Sequence, residues 1–359
     1  MLNFILKRIG YGFLVLLGVV TLVFFLFNVL PGDPARMMLG QRADQESVAI
    51  IKKDLGLDKP LWTQFCYYLN DLSPLSFHKT DPNSSRYLDN NKYTSYTKIY
   101  SGKENIIVLK MPYLRRSYQS KRQVTDILSE AFPNTIILAI VSMSFALVVG
   151  VILGSLSAIW KDSWFDKINL SVIVLGMSLP SFFAAIVFAW LFAYVLADYT
   201  GLSMFGSLYS VDDFGRGEYL DLKNIILPAF TLGIRPLAVI SELTKSTMLD
   251  VLSQDYIRTA KAKGLSKFKI IRHHALKNSL NPVVTAVSGW FASLLAGAVF
   301  VEYIFDWKGV GVVIVDGLEK YDFPVVMGAL LVICVLLVAV NIIVDILYGV
   351  LDPRVRIAK

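Results

Sequence analysis

The chain has 359 residues, of which 35 are basic and 28 acidic, and its formal net charge is +7. Hydrophobic residues make up 55% of it, and charged residues make up 18%, against about 25% in soluble domains. This composition excludes a disordered chain, a collagen and a coiled coil, and it disfavours a single soluble domain. A polytopic membrane protein remains. Its positive charge needs no nucleic acid, because membrane proteins collect Lys and Arg on their cytoplasmic side.

Few residues of the chain are suited to catalysis, metal binding or disulfide formation. Two cysteines form neither a disulfide framework nor a four-cysteine zinc site. The adjacent His273 and His274 would point in different directions on a helix, so they do not predict a shared metal. The sequence has no phosphate-binding GxxxxGK[ST] loop, no HExxH and no GxSxG. We therefore expect no metal, no cofactor and no catalytic residue, and no hydrolysis of ATP, peptides or esters by this chain itself.

The first predicted membrane span is the charge-free run Ile9 to Gly32, which follows Lys7 and Arg8. A bilayer core about 30 Å thick requires about 20 apolar residues in a helix. The run is longer than the apolar part of a secretory signal and ends in LPGDP, not in a small-residue cleavage site. Residues 1–32 are thus predicted to form an uncleaved N-terminal span.

Five further apolar runs predict a core over residues 132–359. The third run of the chain contains Leu179-Pro180-Ser181 and is interpreted as one long helix kinked at Pro180, because it is too short for two spans. The five runs are Phe132–Trp160, Ile168–Ala197, Ile225–Leu243, Pro282–Val301 and Phe323–Val344. Together with the first, they predict an all-α protein with six transmembrane helices.

Six spans place both termini on one side of the membrane. With the N-terminus inside, the inner segments carry fifteen Lys and Arg and the two short outer loops carry four, which favours cytoplasmic termini. Residues 33–131 then face outward. Within them, Gln45 to Leu72 has helix-like apolar spacing, whereas His78 to Lys103 is polar and is interpreted as an exposed excursion. That excursion is either a docking surface or a solvated loop, and the second is favoured.

The most informative segment lies in the predicted cytoplasmic loop 250–281. Ser253 is expected to cap a first helix, Gly264 to end it, and Ser266 to cap a second helix running toward Asn281. Helical spacing places four residues on one face of the first helix, and Thr259 and Ala260 are small enough for close approach of another backbone. The four are Tyr256, Ile257, Ala260 and Gly264. Helix-in-groove binding to a partner and a basic loop lying on anionic lipid both fit this pattern.

The same segment resembles the EAA-type loop of ABC importer permeases, in the form typical of peptide importers. The similarity lies in DY at 255–256, RTAKAKGLS at 258–266, RHHALKN at 272–278 and Pro282. It continues in LPGDP at 30–34, LPSF at 179–182, LPAFTLG at 227–233, VE at 301–302, FDWKGVG at 305–311, DFPVV at 322–326 and LDPR at 351–354. It covers nearly the whole chain except about residues 78–108, which look like an insertion. The closest type is the B-type permease of dipeptide, oligopeptide or nickel importers.

This resemblance implies the type I ABC importer permease fold, a bacterial inner-membrane location and a function without chemistry. The chain would form half of a channel with a second related permease. Two cytoplasmic ATPases would bind below it, and a solute-binding protein would dock outside. The resemblance also implies that the loop contacts an ATPase through Tyr256, Ile257, Thr259, Ala260, Gly264 and Leu265. Short peptides are the expected cargo.

Two other classes of function were weighed. A secondary transporter driven by an ion gradient favours carboxylates deep in the spans, but the acidic residues there are mainly Glu242 and Asp345, both near inner ends. A membrane enzyme requires a nucleophile with a base or a metal set, and the sequence contains no such pattern. Purified chain tested alone for gradient-driven uptake would separate these classes from an importer permease.

Arg235 is a charge about ten residues into the fourth predicted span, or about 15 Å along its axis, and departs from the apolar residue that the family pattern carries there. A charge at this depth requires water or a partner. It either lies on the translocation path, where it pairs with a peptide carboxylate, or has a structural role. In the structural alternative, which is favoured, it bonds carbonyls freed beside Pro236 or an acidic residue of another span, or it reaches along the helix toward an interface.

Overall fold

The computed structural model describes residues 2–29, 52, 58–81, 84, 86–88, 92–93, 95–212 and 217–351. The motif at 30–34, most of the motif at 351–354 and residues 45–51 and 53–57 of the predicted helical stretch Gln45 to Leu72 lie outside the described residues. The described residues fall into two compact units. One is built from Met1–Gly12, Ala131–Val312 and Val335–Lys359, and the other from Phe13–Glu130 and Val313–Cys334.

Helices dominate the described chain. The helices are α1 (Leu2–Val29), α2 (Leu61–Leu72), α3 (Val124–Ile159), α4 (Trp164–Ser178), α5 (Ser181–Trp190), α6 (Ala197–Thr200), α7 (Ile226–Leu252), α8 (Asp255–Ala262), α9 (Lys267–Ile270), α10 (Lys277–Ile304), α11 (Val310–Glu319) and α12 (Phe323–Leu351). A π-helical turn, Leu191–Val195, continues α5, and another, Ile271–Leu276, joins α9 to α10.

Among the described residues, four helical stretches are long and apolar enough to cross a membrane. They are Leu6–Asn28, Val124–Ile159, Leu222–Leu252 and Phe323–Val344. The helices α4 and α5 pass the same test together, which makes up to five spans if the pair is one span. These stretches overlap five of the six predicted apolar runs, and the remaining run, Pro282–Val301, lies within α10.

The prediction of one long kinked helix over Ile168–Ala197 is wrong. The two helices α4 and α5 are bent by 115° where they meet, so the chain turns instead of continuing. Leu179 has ψ 128° and Pro180 has ψ 139°, so both residues are extended. A proline disfavours helical geometry in the residue before it and has no N–H to continue a helix.

The prediction of an all-α chain is also wrong, because two antiparallel sheets are present. The larger has the strand order β1 (Leu75–Lys79), β3 (Asn105–Lys110), β2 (Tyr96–Ser101), with Phe77 opposite Ile107. The smaller pairs β4 (Tyr209–Val211) with β5 (Glu218–Leu220). The end of β1 and the whole of β2 lie in the segment His78 to Lys103, which was interpreted from sequence as an exposed polar excursion, and β3 directly follows it.

The inner face of the larger sheet is mixed. Ile106 and Val108 of β3 are buried in an apolar cluster, but the inward positions of β1 are polar, and this explains the wrong interpretation. Ser76, His78 and Lys110 are buried, while Phe77 and Leu109 on the same strands are exposed. The Ser76 hydroxyl and His78 Nε2 are 2.9 Å apart. The alternation of a strand is therefore present, but its polar members point inward, which conceals it from a search for inward apolar residues.

In the unit that contains it, α7 is the central helix. About two-thirds of its apolar window is buried, 67%, and it packs against α3, α4, α5 and α10. Gly154 of α3 makes one close approach possible, since a Cβ there would overlap the carbonyl oxygen of Ser241. The buried cluster around α7 includes Leu138, Met143, Leu232, Ile240, Val283, Leu294 and Trp307.

Candidate functional site: a helical hairpin and a polar cleft

The α8–α9 hairpin, residues 253–276, is held by capping at its turn. Gly264 has φ +78°, a left-handed geometry that glycine adopts without strain. The Gly264 N–H donates to the Lys261 carbonyl and the Leu265 N–H to the Ala260 carbonyl, the paired bonds of a Schellman motif. The Ser266 hydroxyl accepts from the Lys269 N–H. The predicted helix end at Gly264 and the cap at Ser266 are confirmed.

The predicted cap at Ser253 is wrong. Gln254 precedes the first residue of α8, and its side chain makes no capping hydrogen bond. The Ser253 hydroxyl instead donates to the Asp250 carbonyl at 2.7 Å. Ser253 thus closes the end of α7, and α8 begins without a side-chain cap.

The inner face of the hairpin is apolar. Ile257 is 0% exposed and packs with Ala260 and Ile270, with Leu252 and Leu265 against them. Ile257 and Ala260 were both expected to contact a partner, but they hold α8 onto α9 and are covered within the chain. Helical spacing correctly places Ile257 and Ala260 on one face of α8, and that face packs against α9 of the same hairpin.

The base of the hairpin is anchored to three long helices. Met248 of α7 is fully buried against Ala158 of α3 and Ala275, which lies just before α10. The Thr247 hydroxyl lies 3.1 Å from the Ser279 carbonyl of α10. Because α9 runs through the π-helical turn into α10, a force applied to the hairpin acts directly on these helices.

The outer face of the hairpin is basic and carries two aromatic residues. Tyr256 is 42% exposed and Phe268 is 69% exposed, while Thr259 and Gly264 are also exposed. Phe268 was missed by sequence reasoning, although an aromatic residue between Lys267 and Lys269 on a basic surface is a usable signal. The exposed basic residues around them are Arg258, Lys261, Lys263, Lys267, Lys269 and Arg272.

Arg235 lies at a cleft within the same unit. The cleft is formed where α4 and α5 meet, by the middle of α7 and by α10. Arg235 is exposed, and among the described residues no acidic partner or carbonyl bonds its guanidinium group. The carbonyl and carboxylate forms of the structural alternative thus have no partner in this part of the chain, whereas a side chain that reaches toward an interface stays a prediction. The polar residues lining the cleft are Ser181, Thr231, Arg235 and Ser293, beside Trp290.

The exposed face of α7 is polar along its length. Arg235, Glu242, Ser246 and Asp250 are all exposed and recur at spacings of seven and four residues, so they lie on one face of the helix. The exposed residues of α3 and α4 are largely apolar instead, for example Ile140, Val148, Ile152, Val172 and Leu175. Charged side chains are costly against lipid, so the polar face of α7 is suited to water or to a partner.

A buried polar network joins α4 to α7 and α3 near the hairpin. The Lys245 ammonium lies 2.6 Å from the Asp166 carboxylate. The Asn169 amide donates to the hydroxyls of Ser157 at 2.8 Å and Ser241 at 3.2 Å. In the described residues, no group of three or more His, Cys, Asp or Glu could hold a metal ion.

Comparison with known families identifies the fold. Residues 150–357 match the family model described as the inner membrane component of binding-protein-dependent transport systems. Residues 1–80 match the N-terminal model for membrane components of the same systems. The chain belongs to this family. Its members are membrane-embedded permease components that function with ATPase and substrate-binding partners.

Individual relatives agree with this assignment over nearly the whole chain. The permease is 32% identical to the dipeptide transport permease DppB of Alkalihalophilus pseudofirmus, covering 99% of this chain and 100% of the relative. It is 34% identical to the di/tripeptide permease DppB of Pseudomonas aeruginosa, covering 99% of each. It is 32% identical to the glutathione permease GsiC of Escherichia coli K12, covering 99% of each.

A solved structure supports the fold independently. A chain of the MetNI methionine ABC transporter in an inward-facing conformation matches with a TM-score of 0.50 at 15% identity. The match covers 64% of the permease and 97% of that chain. The permease therefore has an ABC importer fold, and neither the relatives nor the described structure favours a transporter driven by an ion gradient.

Proposed function

We propose that this permease forms half of an ATP-driven channel that imports short peptides across the bacterial inner membrane. The relatives are named for the transport of dipeptides, di/tripeptides and glutathione. All of these molecules are short peptides. A second related permease would complete the channel, two ATPases would bind on the cytoplasmic side, and a solute-binding protein would deliver the cargo from outside. No catalysis is assigned to this chain.

The proposed topology has six spans with both termini in the cytoplasm. The six are the four long apolar helices, the bent pair α4–α5 counted as one span, and α10. Helix α10 is 28 residues long and therefore long enough to cross a bilayer. The charge distribution supports this orientation, since it places the basic hairpin inside. Residues 1–32 then form the first span, 33–131 face outward with the insertion at 78–108, and 132–359 form the core.

The α8–α9 hairpin is the proposed ATPase-coupling element, and one observation carries this role. The hairpin is packed on its own apolar face and is continuous with α10, yet it presents Tyr256 and Phe268 to solvent. A rigid protrusion of this kind transmits a displacement to the spans without deforming. We assign the ATPase contact to Tyr256, Thr259, Gly264 and Phe268, with Ile257, Ala260 and Leu265 as internal supports.

The polar face of α7 is the proposed wall of the translocation path. Peptides carry two charged termini and polar amides, so they require a hydrated route through the bilayer. In this chain α7 offers charged residues along an exposed face, whereas the exposed parts of α3 and α4 suit lipid or the second permease. Closing of the ATPases would shift the hairpin, and α7 and α10 would move with it.

The test is transport by the complete complex carrying Gly264→Asp. An aspartate at φ +78° is strained by about 1 kcal/mol and adds a negative charge to a basic surface. We expect membrane insertion to persist and ATP-dependent peptide uptake to fall at least tenfold. Gly217→Asp is a matched control, because Gly217 also has a left-handed φ of +113° with open space around it, but lies far along the chain from the hairpin. Normal uptake with Gly264→Asp would refute the coupling role.

A further inference from the structure

The cleft at Arg235 is lined by an arginine and by serine hydroxyl groups. Resting on the proposed function, we propose that Arg235 binds a carboxylate group of the peptide during its passage, which makes it a specificity-determining residue of the channel. The ligand class is a carboxylate-bearing short peptide. The carboxylate belongs either to its C-terminus or to an acidic side chain.

The position of Arg235 is the first argument. It lies nine residues after the start of α7, or about 14 Å along the helix axis, and it is exposed. A guanidinium at such depth is costly unless it meets water or an anion. The described residues supply it with no carboxylate, so the guanidinium is available to water or to an anion that enters the cleft.

The surroundings of Arg235 are the second argument. The cleft wall offers the hydroxyl-bearing Ser181 and Ser293 and the ring of Trp290. Hydroxyl groups and an arginine together satisfy the oxygens of a carboxylate, and the planar guanidinium binds it through two parallel hydrogen bonds. The Thr231 hydroxyl also lines the cleft but donates to the Leu227 carbonyl at 2.7 Å, so it is already engaged.

The charge pattern along α7 is the third argument. Glu242 and Asp250 follow Arg235 on the same exposed face, toward the end of the helix that carries the hairpin. A carboxylate held at Arg235 therefore meets negative charge further along the proposed path. That arrangement favours release over tight retention, because binding in a channel must be weak enough for the cargo to leave.

The experiment measures uptake into proteoliposomes that contain both permeases, both ATPases and the solute-binding protein. Three cargoes are compared: dialanine, dialanine with an amidated C-terminus, and alanyl-aspartate with an amidated C-terminus. Each is measured with unmodified permease and with Arg235→Gln, Arg235→Lys and Lys223→Gln. Because every preparation contains the same solute-binding protein, its own selectivity cancels in the ratio of variant to unmodified uptake.

We expect Arg235→Gln to lower kcat/KM for dialanine about tenfold or more, as loss of a charged hydrogen bond implies, with uptake of its amide unchanged. Arg235→Lys should restore part of the loss. Lys223→Gln removes an exposed positive charge near the start of α7. Its uptake of dialanine and of dialanine amide should equal that of the unmodified permease. If Arg235→Gln lowers uptake of alanyl-aspartate amide as much as that of dialanine, Arg235 recognises any carboxylate. If uptake of alanyl-aspartate amide is unchanged, as for dialanine amide, Arg235 recognises the C-terminus. Both outcomes support the proposal.

Two results would overturn it. Equal loss for dialanine and its amide, with Arg235→Lys no better than Arg235→Gln, would assign Arg235 a structural role, such as pairing with the second permease. Unchanged uptake of all three cargoes would remove Arg235 from the path. Failure of the unmodified complex to take up any peptide is a different result, because it would refute the proposed function itself.

Discussion

The α8–α9 hairpin and the larger sheet are built in opposite ways. The hairpin buries Ile257, Ala260 and Ile270 and exposes its charges. The sheet and the neighbouring helix α2 bury charges, including Asp71 and Lys110, and expose Phe77. The hairpin therefore depends on apolar packing, which is insensitive to pH and salt. The sheet buries a small apolar cluster around Ile106 and Val108 and depends in addition on electrostatic pairing, which is sensitive to both.

The buried charges near the sheet are centred on Asp71. Its carboxylate is 2.9 Å from the Lys92 ammonium and 3.6 Å from Arg115 Nε, and it accepts a hydrogen bond of 2.8 Å from the Tyr93 hydroxyl. The Lys110 ammonium donates to the Asp71 backbone carbonyl. One buried carboxylate thus holds together residues that are far apart in the chain.

The largest expected effect is that of Ile257→Asp in the hairpin. A charge would replace a fully buried side chain, at a cost above about 4 kcal/mol. We expect the hairpin to open and trypsin to cleave at Lys261, Lys263 and Lys267 at least 100-fold faster. Ala262→Asp, at an exposed position of the same helix, should leave cleavage unchanged. Slow cleavage of Ile257→Asp would mean that the apolar face does not hold the hairpin closed.

The contrast also explains what could be predicted from sequence. Gly264 and Ser266 are local signals, because left-handed geometry and capping are properties of single residues, and both were found. Helical spacing groups Ile257 with Ala260, but spacing alone does not tell whether a face meets its own chain or a partner. Pro180 marked a break between α4 and α5, whereas the 115° bend depends on packing that no local pattern encodes.

The sheet was missed because only Ile106 and Val108 of its strands are apolar and fully inward, while the other inward positions are polar. Strand alternation is normally recognised by inward apolar residues, and here Ser76, His78 and Lys110 occupy inward positions. Their stability comes from Asp71, Lys92 and Arg115, which lie on other segments. Such long-range pairing cannot be read from one stretch of sequence. Phe268 was missed for a related reason, since a single aromatic residue in a basic segment has no periodic signal.

The second prediction concerns Asp71→Asn in the sheet region. Asparagine keeps the shape of the side chain but removes its charge, which leaves Lys92 and Arg115 facing each other without a carboxylate. Because both cations keep some access to water, we expect a loss of about 3 kcal/mol, at the lower end of the range for breaking a buried ion pair. Faster amide hydrogen exchange in β1 and β3 would report it, with exchange in the hairpin unchanged as the internal control. Unchanged exchange in the strands would show that apolar packing suffices there.

The smallest expected effect is a pH dependence that only the sheet should show. Burial, together with the nearby Lys110 and Lys92 ammonium groups, lowers the pKa of the His78 imidazole from 6.5 to about 4. Asp71 opposes this shift, and the Tyr93 ring packs edge-on at 5.0 Å. Since the unfolded chain binds this proton more readily than the folded chain, stability is fully present above pH 6.5 and is lost as the pH falls toward 4.

Between pH 6.5 and 5 the expected loss is about 1.6 kcal/mol, or about 15-fold faster exchange in β1 and β3 after correction for the intrinsic effect of pH. His78→Gln keeps a polar side chain beside Ser76 but cannot take up a proton, so its exchange in these strands should vary little over that range. Exchange in the hairpin should be insensitive to pH in both proteins, because its inner face carries no titratable group. If His78→Gln lost protection at pH 5 as steeply as the unmodified chain, His78 would not be the source of the acid sensitivity of the sheet.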